Sequence, residues 1–542
     1  MHPARSAPGR WRHLVLAGAL LCAAPACSPD TPSRFRGQAL DGRESGRGPG
    51  LVVLLVIDQW PQWSFAGKRA ALRGGAFDRL LSEGKWQIGR YPYAVTLTAP
   101  GHATLGTGVT AAAHGIVANE WWRRDLGRSL ASVRDASGGA TVAELRAPAL
   151  GDAVAAAGRG GKVVSISLKD RAALLPVGGR ATAIWYQAKT VDWVSTSPTP
   201  AWLERWNQTA PVALHLHDVW TPLDAAALAR QTGRRDSQVG ELGDKGFDAS
   251  FPHALDRTPT PADALLATPL GNQLVLETAQ AALVGEQLGA DDVPDLLVIS
   301  LSAHDYIAHA WGHESWETLD GELRLDRQLT LLLEALDRQV GAERWAMVVT
   351  SDHGAGPLPE LAGGGRTRFG LIAEVASAAA TRVLGPGRWI AFAKAPTVYL
   401  TEAALAAPGK DEAIAAIAAA LRTLPGVAHA APTAALVGDC DARAGLDALL
   451  CRSLDAERSG EVVYVVKRNW IFEDDGEPTA ASHGSPYDYD QLVPLITLPF
   501  GRRRGPTAMA AEPTEVPMTD VAALVAGWLG VPAPATLPAP GR

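Results

Sequence analysis

Residues 51–60 read LVVLLVIDQW, seven consecutive apolar residues, four of them β-branched, that stop at Asp58. A strand with one wet face alternates apolar and polar residues, whereas a continuous apolar run of this length reads as a strand buried on both faces. Comparable runs recur at 163–168, 296–301, 345–350, 462–466 and 492–498. Between them lie helical patterns at 148–157, 272–288 and 319–340. The alternation predicts an α/β fold, a doubly wound and mostly parallel central sheet with helices on both faces. In such sheets ligands bind beyond the carboxyl ends of the strands, which is where Asp58 stands.

The chain has 542 residues, 47% of them hydrophobic, so a large core can form. Length alone would allow about two to four domains. The formal net charge of −7, with no basic stripe, gives no footing for nucleic acid as a partner. A small, soluble substrate is expected, and a monomer is the expected state.

The N-terminus reads as an export signal. Arg5, Arg10, Arg12 and His13 precede the run LVLAGALLCAAPAC at 14–27, too short and too rich in small residues for a membrane span. Residues 1–27 are therefore expected to direct the chain out of the cytoplasm, to the periplasm or an outer-membrane anchor in a bacterium. The sequence fits lipidation at Cys27 and ordinary signal cleavage equally well, with Cys22 a weaker acceptor. Cys440 and Cys451 are then the remaining cysteines. In an oxidising compartment a local disulfide is the expectation, since two thiols are too few for a closed zinc site.

Residues 28–50 lack periodicity and read as a flexible tether ahead of a single large domain at 51–530. From about 181 to 269 the rhythm breaks, with Trp185, Trp193, Trp202, Trp206 and Trp220 among Pro, Thr and Asp. This is expected to be an insertion capping the crevice, its tryptophans packed rather than offered as a stacking surface. A small appended lobe is expected at about 401–461, and the Pro-rich tail 531–542 is expected to be disordered. There is no internal repeat.

In YAVTLTAPGHATLGTG, Pro100 biases Ala99 away from helix and is itself suited to a first turn, so Thr98 lies just ahead of a helix N-terminus. Free N–H groups and the dipole there suit a phosphate. Taken alone, a Thr in this place more often caps the helix than reacts. Asp305 and His309 stand four apart and share one face of a helix entered after the 296–301 strand. His304 and His313 compete with them as ligands. Asp352 and His353 are adjacent, but Gly354 and Gly356 permit a turn that brings both inward. Nitrogen and carboxylate donors without thiolates suit zinc, with Mn²⁺ and Fe²⁺ as alternatives.

The segments TLTAPGHATLGTG, HGIVANEWW, SLKDR, HDYIAH, TSDHGAG and SHGSPYDYD occur in the order used by one branch of the alkaline phosphatase superfamily. The chain resembles the nucleotide pyrophosphatases/phosphodiesterases of that branch and, most nearly, its phosphate-irrepressible alkaline phosphatases, over roughly 51–498. The resemblance implies two Zn²⁺ per chain. One would be held by Asp305, His309 and His483, the other by Asp58, Asp352, His353 and the Thr98 oxygen. It implies Thr98 as the nucleophile of two in-line displacements through a phosphothreonine, and leaves His304 and His313 either behind the ligands or at the surface; His114 is expected to be structural. Lys169, Arg171 and Asn119 match the groups that such phosphatases place on phosphate oxygens, with Asp170 pointing away.

A dianionic monoester has three non-bridging oxygens to hold and a diester two, so this donor set favours phosphate monoesters as substrates. The main alternative is a phosphodiesterase or nucleotide pyrophosphatase on the same scaffold. Sulfatase action is disfavoured because Thr98 stands where those enzymes carry a formylglycine precursor. A non-catalytic surface lipoprotein would have no need of both ligand sets.

Overall fold

The structure is a computed structural model describing residues 48–394, 396–501 and 513–539. The expected export signal, nearly all of the tether and the last three residues of the tail lie outside the described residues. The central sheet has nine strands, with Leu51–Ile57 in the middle, paired in parallel to Asp295–Leu301 on one side and Trp345–Thr350 on the other. Beyond Asp295–Leu301 follow Val163–Ser167 and Thr182–Gln187, both parallel, then the antiparallel Asp192–Ser195. Beyond Trp345–Thr350 comes Leu492–Leu498, antiparallel to both neighbours, then Lys85–Arg90 and Glu515–Pro517. The sheet is thus mixed, with Leu492–Leu498 and Asp192–Ser195 running against the other seven strands.

Alternation explains why the central run is apolar throughout. Val53, Leu55 and Ile57 enter one hydrophobic cluster, Val52, Leu54 and Val56 the cluster on the opposite face, and all six are fully buried. The helices Pro269–Gly285 and Trp316–Leu336 contribute to the first cluster, and Leu150–Ala157 and Asp520–Leu529 to the second.

Several expected boundaries move. Thr182–Gln187 and Asp192–Ser195 are sheet strands, so the excursion over the sheet starts after them rather than at 181. Its tryptophans pack inward: Trp202 Nε1 donates to Glu286 Oε1 at 2.7 Å, Trp206 Nε1 to Thr278 Oγ1 at 3.0 Å and Trp220 Nε1 to Asp320 Oδ2 at 2.7 Å. The small lobe is larger than 401–461. Its four-stranded sheet runs Ile390–Lys394, Thr397–Leu400, Val462–Val466, Val427–Pro432, covered by helices Phe369–Leu384 and Lys410–Leu421. The run 462–466, which reads like a strand of the main sheet, is a central strand of the lobe; five apolar residues look the same in either place. Cys440 and Cys451 are disulfide-bonded, with Cα atoms 5.4 Å apart.

The described part of the tail, through 539, lies against the fold. Val531 packs against the core and Pro534 is buried in the short turn Pro534–Thr536. Proline removes hydrogen-bond donors, but it does not prevent an apolar residue from anchoring.

Replacing Trp220 by Ala should remove a buried indole and one of the donors to Asp320, at about 3–5 kcal/mol. Amide hydrogen exchange should then accelerate over 219–254 while the central strands keep their protection. Uniform exchange in variant and wild type would show that the cap does not depend on this anchor.

Candidate active site

The carboxyl ends of the parallel strands converge on one crevice. Asp58 follows Leu51–Ile57 directly, Asp352 and His353 follow Trp345–Thr350, and Lys169 follows Val163–Ser167. Asp305 and His309 lie on Ala303–Trp311, the helix that leaves the Asp295–Leu301 strand. His483 arrives from a loop tied to that helix by the Ala480 N–H, which donates to the His309 carbonyl at 2.7 Å.

These side chains form two groups. Asp305, His309 and His483 place one ligand atom each within 4.8 Å of one another, as do Asp58, Asp352 and His353. The His353 and His483 rings stack at 3.6 Å between centroids, joining the groups. In each histidine Nδ1 faces a carbonyl oxygen: Gly354 for His353 at 2.9 Å, Ala481 for His309 at 2.8 Å and Thr96 for His483 at 2.8 Å. The Nδ1 proton donated to a carbonyl leaves Nε2 as a lone-pair donor toward the centre, the arrangement metal-binding histidines use.

The electrostatics also favour a cation. Asp58, Asp305 and Asp352 are buried around one ammonium, with Lys169 Nζ 2.7 Å from Asp58 Oδ2 and 2.5 Å from Asp305 Oδ2. Burial first, then repulsion from Asp305 and Asp352, raises the Asp58 pKa well above the ordinary carboxylate range. Burial opposes ionisation of Asp305 too, but Lys169 and His309 hold its pKa well below that range. Asp58 Oδ1 has no hydrogen-bond partner, and Asp352 Oδ2 meets only imidazole nitrogens, His102 Nδ1 at 3.1 Å and His353 Nε2 at 3.4 Å. A fully buried, orphaned carboxylate oxygen beside an imidazole nitrogen fits a divalent ion, and the nitrogen-and-oxygen donor set fits zinc.

Thr98 opens the helix Thr98–Thr107, its Oγ1 3.4 Å from His353 Nε2. The first turn is not the vacant phosphate seat that the sequence suggests. The Ala99 N–H donates to Asn119 Oδ1 at 2.8 Å, Pro100 has no N–H, and the Gly101 N–H donates to the Leu97 carbonyl at 2.9 Å. Gly101 is required for packing: a Cβ there would lie 2.2 Å from the Asp352 carbonyl oxygen. Asn119, with its oxygen engaged, keeps its amide nitrogen for the cleft.

Lys169 and Arg171, expected as a matched pair, sit differently. Lys169 is buried between the two ligand groups, whereas Arg171 lines the open cleft, its Nε without a partner. Asp170 turns away and pairs with Arg134. The cleft has a volume of about 670 Å³ and is lined by Asn119, Arg171, Tyr306, His309 and His483 together with Trp470 and Phe472.

His304 and His313 are buried supports. His304 Nδ1 faces the Asp58 carbonyl at 3.0 Å and its Nε2 faces Glu322 at 3.1 Å. His114 is structural: it meets Thr104 and the Ile116 N–H, and burial lowers its pKa to about 3. Two contributors are absent from the sequence reading. His102 Nδ1 lies 2.9 Å from the Thr98 carbonyl and 3.1 Å from Asp352 Oδ2; its place one helical turn after Thr98 was a legible signal. Gln59 touches both groups and carries no such signal, since it lies on no periodic face.

With this geometry in hand, the comparisons are direct. The model of the family described as type I phosphodiesterase / nucleotide pyrophosphatase matches residues 52–486. The chain is 33% identical over 331 residues to alkaline phosphatase PhoV of Synechococcus elongatus, covering 57% of this chain and 60% of that protein. It is 28% identical over 516 residues to alkaline phosphatase PafA of Elizabethkingia meningoseptica, covering 90% of this chain and 92% of PafA. The crystal structure of wild-type PafA superposes with a TM-score of 0.80 at 26% identity, covering 91% of this chain and 98% of that one. The chain belongs to the type I phosphodiesterase / nucleotide pyrophosphatase family.

Proposed function

We propose that the protein is a metal-dependent alkaline phosphatase that hydrolyses phosphate monoesters through a phosphothreonine at Thr98 and releases inorganic phosphate. The observation that carries this reading is the pair of nitrogen-and-carboxylate groups, with Thr98 Oγ1 against His353 of one of them. Two relatives matched over most of the chain, PafA and PhoK, are named alkaline phosphatases, which supports the monoester reading over diester cleavage.

Two Zn²⁺, one with Asp58, Asp352, His353 and Thr98 and one with Asp305, His309 and His483, would supply the positive charge that favours an ionised hydroxyl and a negative leaving oxygen. The chain's own residues do the rest. The helix that starts at Thr98, pinned by Asn119 at Ala99 and by His102 at the Thr98 carbonyl, fixes the hydroxyl. Arg171 and the Asn119 amide donate to non-bridging phosphate oxygens from the open side of the cleft. Lys169 adds a buried cation between the ligand groups, which favours a dianion over a monoanion. Exported protein, periplasmic or lipid-anchored through Cys27, fits both the N-terminal sequence and a phosphate-scavenging enzyme. Among the described residues no helix is long and apolar enough to cross a membrane.

Thorough chelation should abolish turnover of an aryl phosphate monoester, and added Zn²⁺ should restore it. Full activity in metal-free protein would overturn the metalloenzyme reading. Thr98→Ala is expected to lower kcat by on the order of 10³-fold or more, because no other positioned hydroxyl replaces the nucleophile. Acid quenching of the wild type during turnover should yield a peptide phosphorylated at Thr98, and its persistent absence would argue for direct attack by water.

Arg171→Ala should reduce monoester kcat/KM by about 10²-fold, with a distinctly smaller loss for the matching diester. Equal losses on both substrates, or a wild-type diester rate above the monoester rate, would favour the phosphodiesterase alternative.

A further inference from the structure

Gln59 is fully buried and adopts φ 57°, the left-handed region that suits glycine rather than a long side chain. Every polar group it directs inward is used. Its backbone N–H donates to Asp352 Oδ1 at 3.2 Å. Its side-chain Nε2 donates to Asp305 Oδ1 at 2.7 Å. Its Oε1 then faces His313 Nε2 at 3.1 Å, the orientation of the amide being fixed by Asp305, whose ionised carboxylate can only accept. The residue also follows Asp58 directly in the chain. One side chain and one peptide unit therefore touch two of the three carboxylates, and the third belongs to the preceding residue.

The division of labour is asymmetric. Asp352 Oδ1 is held by the Gln59 and His353 main-chain N–H groups, which leaves Oδ2 between His102 Nδ1 at 3.1 Å and His353 Nε2 at 3.4 Å. Asp305 has no main-chain donor among its contacts; Gln59 Nε2, Lys169 and His309 hold it. We propose that Gln59 is a positioning residue that keeps the two groups in register, fixing Asp352 through its main chain and Asp305 through its side chain. Glycine would relieve the backbone conformation, and the retained glutamine is explained by the amide. The inference rests on the reading that both groups hold a metal ion.

The asymmetry supplies the test. Gln59→Gly keeps the peptide N–H to Asp352 and loses the amide to Asp305, so only the Asp305, His309 and His483 group should loosen. Full-length wild type, Gln59→Gly and Gln59→Ala would be loaded with Co²⁺, whose visible absorption reports on each nitrogen-and-carboxylate environment, and then titrated with chelator. In both variants one of the two equivalents should leave at about 10- to 100-fold lower chelator concentration than in the wild type, while the other stays as tight as before. The metal-free Gln59→Gly protein should melt no lower than Gln59→Ala, and excess Zn²⁺ should restore its phosphatase activity. His313→Leu, which frees the amide to turn, should loosen the same equivalent to a smaller degree.

Unchanged titrations in the glycine and leucine variants would overturn the proposal, and so would parallel loss of both equivalents. A wild type that takes up no Co²⁺ would instead defeat the metalloenzyme reading itself, and this inference with it.

Discussion

Three carboxylates buried around one ammonium set the terms for the rest of the molecule. Asp58, Asp305 and Asp352 are withdrawn from water at the carboxyl end of the sheet, and Lys169 compensates only part of their charge. Even after relaxation, an uncompensated buried ion costs several kcal/mol. A fold can sustain that only if its scaffold is stiff and strongly apolar. The central strand, fully buried on both faces and hydrogen-bonded on both edges, is such a scaffold. The polar shell beneath the site completes the containment. Lys68 pairs with Glu322, Glu322 faces His304, and His304 holds the Asp58 carbonyl.

The sequence carried the scaffold well and the charge balance poorly. A seven-residue apolar run ending in Asp identifies a central strand and places its carboxylate, because burial on both faces leaves no other pattern. Asp305 and His309 were legible for a similar reason, since a spacing of four fixes a shared helix face. The orientation of Lys169 was not legible. KDR beyond a strand looks like a solvated cluster, and only the three-dimensional approach of Asp58 and Asp305 draws the ammonium inward while Arg171 stays at the cleft. Gln59 was hidden for a different reason. A positive φ at a non-glycine residue leaves no mark in composition or period.

The tryptophan-rich excursion shows how composition can direct attention to the wrong wall. Trp202, Trp206 and Trp220 each have the indole N–H engaged by Glu286, Thr278 or Asp320, so they bind the cap to the helices beneath it. The aromatic wall that the cleft does possess comes from Trp470 and Phe472, next to the small lobe. The lobe reads as an appendage in sequence because residues 401–461 form an irregular block outside the strand–helix rhythm. Its Lys394, Tyr464 and Val466 instead line the same cleft as His309 and His483.

Donor chemistry then narrows what the cleft can hold. Asn119 has its carbonyl oxygen committed to the Ala99 N–H, so toward the cleft it can only donate. Arg171 and Lys169 have no acceptor at all. Asn119, Arg171 and Lys169 can offer only donors to a phosphate, so they reward a ligand whose oxygens only accept. Each non-bridging oxygen lost to esterification removes an acceptor and lowers the charge seen by the buried ammonium. Preference for a phosphate monoester dianion over a diester therefore follows from the commitment of one amide oxygen at the start of a helix as much as from the cations themselves.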